Sequence, residues 1–161
     1  MAQATMERTS PISAGESAPD FTLPDQNDRE VTLSSFLGKK NVVLAFYPFA
    51  FSGVCTKENA CFTQDMQKFE VQNAVPLGIS TDHSFAIKAW VKQEGYKHSM
   101  LSDQMRTVSK AYGLFLPAKN AANRATVIVD KYGKVAWVKV QPELGMQRDE
   151  EEILKVLEGL K

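Results

Sequence analysis

The feature that most constrains the fold is a continuous apolar run inside Asn41–Phe46. A strand with one wetted face alternates apolar and polar side chains, whereas a strand covered on both faces is apolar throughout. We therefore predict a buried strand here, with other elements packed on both of its faces. A loop rich in Pro, Phe, Ser and Gly follows, and after it we predict a helix over about residues 54–69.

Strand and helix patterns alternate along the rest of the chain. Because strand–helix–strand units pair in parallel and hairpins add antiparallel strands, we predict one thioredoxin-like α/β domain with a mixed central sheet and helices on both faces. The other predicted elements are an N-terminal β-hairpin (strands at 17–23 and 30–33), a helical turn ending at Gly38, a strand at Ala74–Ser80, helices at Ser84–Glu94 and 107–112, a second hairpin (124–129 and Val135–Val140), and a last helix at 149–160.

Length and charge exclude several classes of protein. The chain has 161 residues, with 19 Lys plus Arg balanced by 19 Asp plus Glu, so we expect no nucleic-acid partner and no polybasic membrane patch. No apolar run approaches the ~20 residues that cross a bilayer. Residues 1–14 lack the apolar centre of a secretory signal, and we expect them to form a flexible leader ahead of a domain over 15–161. These features favour a cytoplasmic protein.

Cysteine and histidine are too few and too scattered for a scaffold or a metal site. The chain has two of each, and their spacing matches neither a disulfide framework nor a zinc site. We therefore expect no metal and no other cofactor.

Cys55 is the candidate nucleophile. It follows the buried strand and its loop and stands in the first turn of the predicted helix. A thiol attacks as its thiolate, and the unpaired N–H groups and positive dipole end of a helix N-terminus favour an anion. The strand-to-helix junction of an α/β sheet is also where ligands bind. The alternative is a small, buried, unreactive cysteine.

Two residues of the preceding loop are candidates to support Cys55. Ser52 stands at the predicted N-cap, where its hydroxyl could cap the helix or reach the sulfur or a substrate oxygen. Pro48 fixes the exit of the strand and could shield the sulfur from water, or it could serve only as a turn residue.

Two charged residues extend the candidate site. Arg124, at the start of a predicted strand, is either a solvated strand end or a cation that stabilises the Cys55 thiolate and polarises a reacting bond. Glu58 lies three residues after Cys55 on the same helix face. It could hold the Arg124 guanidinium in place, or it could only complement the helix dipole.

Helix geometry separates the two cysteines. Cys61 lies off the helix stripe that we predict to face inward. In an intact helix the Cα atoms of Cys55 and Cys61 would be roughly 10 Å apart, whereas a disulfide needs less than about 7 Å. The two can therefore bond only if the first turns of the helix unwind. At about 100° per residue, the inward stripe consists of Cys55, Glu58, Phe62, Met66 and Phe69.

With these residues in hand, the sequence resembles the peroxiredoxins over nearly its whole length. The family pattern of Pro, three residues, Thr or Ser, two residues and Cys is met by Pro48, Ser52 and Cys55, and the family arginine is matched by Arg124. Glu58 matches the carboxylate that members commonly place near that arginine. Finer similarity to the alkyl hydroperoxide reductase E-type group lies at 49–55, 82–90, 101–103 and 111–113.

The resemblance implies a thiol-dependent peroxidase that acts on hydrogen peroxide, organic hydroperoxides or peroxynitrite through a sulfenic acid at Cys55. It implies a homodimer formed through an edge of the domain, and no metal, haem or flavin. It also implies a thiol reductant as partner, such as thioredoxin, a glutaredoxin-like protein or a low-molecular-weight thiol.

Two departures from the family pattern leave alternatives open. Ser52 replaces the commoner Thr, which keeps the hydroxyl and loses a methyl. Cys61 comes six residues after Cys55, whereas the bacterioferritin-comigratory type places its resolving cysteine five after. Cys61 is therefore either a resolving cysteine after local unfolding or a bystander, with resolution left to an external thiol.

Two other functions on this fold remain as alternatives to the peroxidase. One is a thiol–disulfide oxidoreductase, which usually needs the Cys-x-x-Cys absent here, and the other is a non-catalytic redox sensor or holdase.

Overall fold

A computed structural model gives the fold, and it describes residues 7–160. Helices and strands alternate along most of the chain, as predicted. The strands are β1 (Thr22–Pro24), β2 (Glu30–Thr32), β3 (Asn41–Phe46), β4 (Ala74–Ser80), β5 (Ser99–Ser102), β6 (Phe115–Leu116), β7 (Ala121–Ala122), β8 (Ala125–Val129) and β9 (Val135–Val140). The helices are α1 (Gly53–Gln64), α2 (Met66–Val71), α3 (Ser84–Glu94), α4 (Thr107–Ala111) and α5 (Glu150–Glu158), with a 3-10 turn at Leu33–Phe36.

The central sheet has five strands in the order β5-β4-β3-β8-β9. Strands β3, β4 and β5 run parallel to one another, whereas β8 is antiparallel to both β3 and β9. The sheet is therefore mixed, as the alternation of helices and hairpins predicted. Strands β1 and β2 form the predicted N-terminal hairpin, and β6 and β7 form a second small antiparallel pair.

Strand β3 is buried along its whole length, and its side chains divide the core into two layers. Val42, Leu44 and Phe46 pack in the larger layer, with residues of α4 and of the N-terminal segment. Val43 and Ala45 pack in the second layer, against side chains of α1, α2 and α5. Helices therefore cover both faces, and this arrangement places the C-terminal end of β3 directly before α1.

The helix predicted over 54–69 is wrong in one respect, because Asp65 divides it into α1 and α2. Asp65 has φ −103° and ψ 22°, and its carbonyl accepts a hydrogen bond from the N–H of Lys68 only three residues later. The tighter turn lets Phe62 and Phe69 pack together at 5.6 Å between ring centroids. The predicted inward stripe is otherwise observed, with Met66 half-buried and its other four members buried.

The N-terminal segment differs from its prediction. The strand expected over 17–23 begins at Thr22, and residues 15–18 instead bond to the start of β9, where Gly15 N–H donates to Val135 O at 2.8 Å. Ile12 is 2% exposed, and its N–H donates to Tyr112 O. Because an apolar side chain docks here, the expected flexible leader does not fit residues 7–14. Residues 1–6 lie outside the described residues.

No helix within residues 7–160 is long and apolar enough to cross a membrane.

Candidate active site

Cys55 is the third residue of α1 and is 0% exposed. It follows β3 through a short loop that begins at Pro48, which is buried as its proposed shielding role requires. Phe51 turns the loop with a left-handed backbone at φ 67°. The Asp82 carboxylate fixes the same loop by accepting from Ala50 N–H at 2.8 Å. The local sequence therefore places the sulfur at a helix N-terminus beside the end of a buried strand.

Ser52 occupies the N-cap position of α1, but its hydroxyl makes no capping bond. The hydroxyl donates to Phe49 O at 2.9 Å instead, so the expectation that it caps the helix is wrong. The Phe49 carbonyl stands three residues earlier in the same loop and takes the hydroxyl hydrogen that would otherwise be free to turn away from the helix. The backbone carbonyl of Ser52 accepts from both N–H and Oγ1 of Thr56. The first-turn N–H groups are thus not occupied by the Ser52 side chain.

Arg124 lies against the sulfur. Its Nη2 donates to Cys55 Sγ at 3.2 Å, its Nε donates to Leu144 O at 2.8 Å, and its Nη1 pairs with Glu58. The guanidinium is held by three directed bonds, and the residue is 2% exposed. The sequence interpretation of Arg124 as a cation beside Cys55 therefore agrees with its position, and the solvated strand end does not.

Glu58 joins two arginines. Its Oε1 accepts from Arg124, and its Oε2 accepts from Arg148 N at 2.7 Å and Arg148 Nε at 3.0 Å. Arg148 also donates to the carbonyls of Ala125 and Phe46, at the ends of β8 and β3 nearest the site. Glu58 and Arg148 are 2% and 6% exposed. The carboxylate therefore lies in contact with the Arg124 guanidinium, in a position to hold it in place.

The charges of this buried cluster favour an anion at the sulfur. Arg124 and Arg148 carry two positive charges, and Glu58 carries one negative charge. An unbalanced charge in a protein interior is costly. A thiolate at Cys55 completes the balance through a charge-assisted hydrogen bond from Arg124.

Comparison with known proteins identifies the family. The model of the AhpC/TSA family matches residues 14–138, which is most of the chain. This chain belongs to the AhpC/TSA family. It is therefore a peroxiredoxin, a member of a family of thiol peroxidases.

Relatives extend this match to the whole fold. Alkyl hydroperoxide reductase E of Mycobacterium tuberculosis is 38% identical over 141 residues, which cover 86% of this chain and 92% of that protein. The reduced 2-Cys peroxiredoxin of Plasmodium vivax superposes with a TM-score of 0.83 at 32% identity, covering 91% of this chain and 81% of that one. Peroxidoxin BcpB from Mycobacterium tuberculosis has a TM-score of 0.84 at 29% identity, and the match covers 93% of this chain and 99% of that one. The thioredoxin-like fold predicted from the order of elements is confirmed.

Two residues that position the peroxiredoxin site were missed in the sequence. Arg148 precedes the N-cap of α5 in a polar stretch, where nothing marks it as buried, and its pairing with Glu58 spans 90 positions. Asp82 follows β4 and reaches back to the loop before Cys55. A polar residue directly after a buried parallel strand was the one available signal for Asp82, whereas Arg148 had no such signal.

Cys61 lies apart from this cluster. It is half-buried, and its sulfur accepts a weak hydrogen bond from Gln147, with Nε2 at 4.0 Å from Sγ. Burial raises the pKa of the Cys61 thiol, and the nearby carboxyl groups of Glu150, Asp65 and Glu58 raise it further. Both cysteines are free thiols within one continuous helix. The structure therefore keeps Cys61 as a thiol, away from Cys55.

One side of Cys55 packs in a cluster of buried apolar residues. The cluster consists of the three aromatic side chains of Tyr47, Trp90 and Tyr96 and the apolar side chains of Ile87 and Met100. Burial raises the pKa of Tyr47 well above its ordinary value, so its phenol is neutral. Within residues 7–160, no group of three or more His, Cys, Asp or Glu side chains is arranged to hold a metal ion.

His98 is a buried imidazole packed against α1. Its Nε2 lies 2.9 Å from Asn59 Oδ1, and its Nδ1 lies 2.9 Å from Thr63 Oγ1. The residue is 1% exposed. Because burial penalises the charged ring, the pKa of His98 is lowered from 6.5 to about 3.

This burial predicts a loss of stability in mild acid. The unfolded chain binds the His98 proton at a higher pH than the folded chain does, so His98 stabilises the fold fully above about pH 6.5 and less as the pH falls toward about 3. Between about pH 7 and about pH 5, we expect this group to lower the free energy of unfolding by about 2 kcal/mol. Urea titrations of the wild type and His98→Gln at both pH values measure the difference, with His83→Gln at an exposed histidine as the control. An equal pH dependence of the free energy of unfolding in the wild type and His98→Gln would contradict this prediction.

Proposed function

We propose that Cys55 is the peroxidatic nucleophile of this peroxiredoxin. The observation that carries the proposal is the Arg124 Nη2 contact, 3.2 Å from Cys55 Sγ at the N-terminus of α1. The thiolate electron pair forms an S–O bond with the terminal peroxide oxygen as the O–O bond breaks. The leaving group departs as water or an alcohol after its oxygen takes up a proton, or as nitrite when the substrate is peroxynitrite, and Cys55 remains as a sulfenic acid.

The neighbours of Cys55 have distinct proposed roles. Arg124 stabilises the thiolate and the negative charge that develops on the peroxide oxygens. Glu58 orients Arg124 through the ion pair between its Oε1 and Arg124 Nη1, and it touches neither the sulfur nor the substrate. The Ser52 oxygen, whose hydrogen is directed to Phe49 O, can accept the hydrogen bond of an incoming hydroperoxide. Pro48 covers the strand end and limits the access of water.

The proposed substrates are hydrogen peroxide, organic hydroperoxides and peroxynitrite. Two aromatic rings in the loop that leads to Cys55 are exposed, Phe49 at 42% and Phe51 at 50%. Such rings favour contact with an apolar group, which supports organic hydroperoxides among the substrates.

Steady-state peroxide consumption tests this function. The wild type should consume peroxide when a thiol reductant is present, and Cys55→Ser should lose the activity. Insulin reduction without peroxide would instead favour a thiol–disulfide oxidoreductase. Folded protein that consumes no peroxide would favour a redox sensor or holdase.

We propose further that Cys61 resolves the Cys55 sulfenic acid after α1 unwinds. The thiol of Cys61 attacks the sulfenic sulfur, an S–S bond forms, and water leaves. The support for this step is that Cys61 is the second of the two cysteines and lies in the same helix. A thioredoxin, a glutaredoxin-like protein or a low-molecular-weight thiol then reduces the disulfide. The competing route is direct reduction of the sulfenic acid by an external thiol.

Mass analysis separates these two routes. Trypsin cleaves after Lys57, so Cys55 falls in peptide 41–57 and Cys61 in peptide 58–68. After one equivalent of peroxide, the wild type should yield these two peptides joined by a disulfide. Cys61→Ser should instead retain a sulfenic acid in peptide 41–57. A wild type that also retains the sulfenic acid until thiol is added would show that an external thiol resolves it.

A homodimer and a cytoplasmic location complete the proposed function. The resemblance to the family supports the dimer, and the two free thiols are compatible with a reducing compartment. Sedimentation of the reduced protein tests the homodimer, and fractionation of the source cells tests the cytoplasmic location.

A further inference from the structure

A chain of four hydrogen bonds connects the loop between α3 and β5 with the backbone of Cys55. Lys97 N–H donates to Thr63 Oγ1 at 2.9 Å, and Thr63 Oγ1 lies 2.9 Å from His98 Nδ1. His98 Nε2 lies 2.9 Å from Asn59 Oδ1, and Asn59 Nδ2 donates to Cys55 O at 2.9 Å. His98 and Asn59 are both 1% exposed. The chain therefore joins a loop that is distant in the sequence to the backbone carbonyl of Cys55 through two buried side chains and the half-buried Thr63.

The donor and acceptor groups determine which atom of each pair in this chain carries the hydrogen. The Asn59 amide donates through Nδ2, so its Oδ1 accepts and His98 Nε2 carries the hydrogen. The Nδ1 of a neutral imidazole is then an acceptor and takes the Thr63 hydroxyl hydrogen. The Thr63 oxygen in turn accepts from Lys97 N–H. Every group in the chain has its partner, which makes a buried network stabilising and specific.

Tyr96 adds a second attachment from the same loop. Its hydroxyl donates to the carbonyl of Thr56, in the first turns of α1, at 2.9 Å. Its ring packs edge-on against Trp90 at 5.0 Å between centroids. The loop thus holds α1 near both of its ends, at Thr56 and at Thr63.

The start of α1 depends on such external bonds. Its first residue is Gly53, and no side chain caps it. Glycine and an absent cap both weaken a helix start. Contacts from outside the helix therefore decide how readily its first turns open.

We propose that Tyr96 and His98 are positioning residues that clamp α1 in its wound form and set how often the turns carrying Cys55 open. This inference rests on the proposed function in one respect, because opening is the step that resolution by Cys61 requires. The clamp touches neither Arg124 nor Glu58. Tyr96 also packs in the cluster that contains Cys55, so helix opening can be changed separately from peroxide attack by substitution at His98 or Thr63.

Amide hydrogen exchange measured by mass spectrometry on the reduced full-length protein tests the clamp. His98→Phe keeps a ring of similar size but loses both side-chain hydrogen bonds, and exchange in α1 should become about tenfold faster. His98→Gln can still donate to Asn59 and should restore part of the protection. Thr63→Val, a change of one hydroxyl to a methyl, should accelerate exchange by a smaller factor and serves if His98→Phe does not fold.

A matched control separates the clamp from general loss of stability. Leu23→Ala removes a buried side chain in the other core layer. The clamp variants should accelerate exchange in α1 selectively, relative to β8 and β9, whereas Leu23→Ala should not. Unchanged exchange in α1 of both His98→Phe and Thr63→Val, or equal selectivity in Leu23→Ala, would overturn the clamp.

Disulfide formation after one equivalent of peroxide gives a second readout. His98→Phe should form the disulfide between Cys55 and Cys61 about tenfold faster than the wild type, since opening limits the step. Faster exchange in α1 with no disulfide in any variant would support the clamp and refute the proposed role of Cys61. An unchanged rate of disulfide formation despite faster exchange would overturn the link between the clamp and resolution.

Discussion

Arg124→Gln is expected to lower the rate constant for oxidation of Cys55 by hydrogen peroxide by about 100- to 1,000-fold. The substitution removes the cation whose Nη2 lies 3.2 Å from the sulfur, and with it the donor for the charge developing on the peroxide. Arg124→Lys should lose most of the same rate, because an ammonium cannot make the three directed bonds of the guanidinium. Rapid mixing with peroxide, followed by alkylation of the remaining thiol, measures the rate constant.

The control for this prediction is Arg29→Gln. It makes the same change in net charge at an exposed turn between β1 and β2. Its rate constant should stay within about twofold of the wild type, because exposed charges at a distance are screened by salt. If Arg124→Gln retained the wild-type rate constant, Arg124 would have only a structural role.

Glu58→Gln is expected to destabilise the fold by about 3–5 kcal/mol. The carboxylate lies between two buried guanidiniums, and its loss leaves two adjacent positive charges with only the Cys55 thiolate to balance them. The peroxidase rate should fall as well, since Arg124 loses the partner that orients it. Urea denaturation measures the free energy of unfolding, and the peroxide reaction of the protein that remains folded measures the rate.

An exposed ion pair provides the comparison for Glu58. Glu152 pairs with Lys139 at 2.8 Å, and both side chains are more than a third exposed. Glu152→Gln should therefore cost less than about 1 kcal/mol. A cost of that small size at Glu58 would contradict the inference that the carboxylate is needed to balance two buried charges.

Local patterns were sufficient to predict most of the sheet. The bounds of β3, β4, β9 and α3 agree with the prediction, because each is bounded by turn residues or marked by a clear apolar period. Strand β5 was missed because its four residues, Ser99–Ser102, are too few to show a pattern. It is stabilised by parallel pairing with β4, and such pairing between distant segments is not visible in one sequence.

The residues of the candidate site also divide into those that local sequence patterns predicted and those that they did not. Cys55 and its loop are contiguous in the sequence, and the chemistry of a helix N-terminus marks them. Glu58 follows from helix spacing. Arg124 needed the resemblance to a family as well, since a lone charge at a strand start is usually solvated. Arg148 is buried only because the tertiary fold places it between Glu58 and the ends of two strands, so no local pattern predicted it.

The central claim is that Cys55 is the thiol that takes an oxygen atom from peroxide, and trapping the sulfenic acid tests it most directly. Cys61→Ser and Cys55→Ser are each treated with one equivalent of hydrogen peroxide in the presence of dimedone, then digested with trypsin. We expect a dimedone adduct in peptide 41–57 of Cys61→Ser and no rapid adduct in peptide 58–68 of Cys55→Ser. An adduct that forms in peptide 58–68 of Cys55→Ser as fast as the wild type consumes peroxide, with none in peptide 41–57 of Cys61→Ser, would contradict the claim.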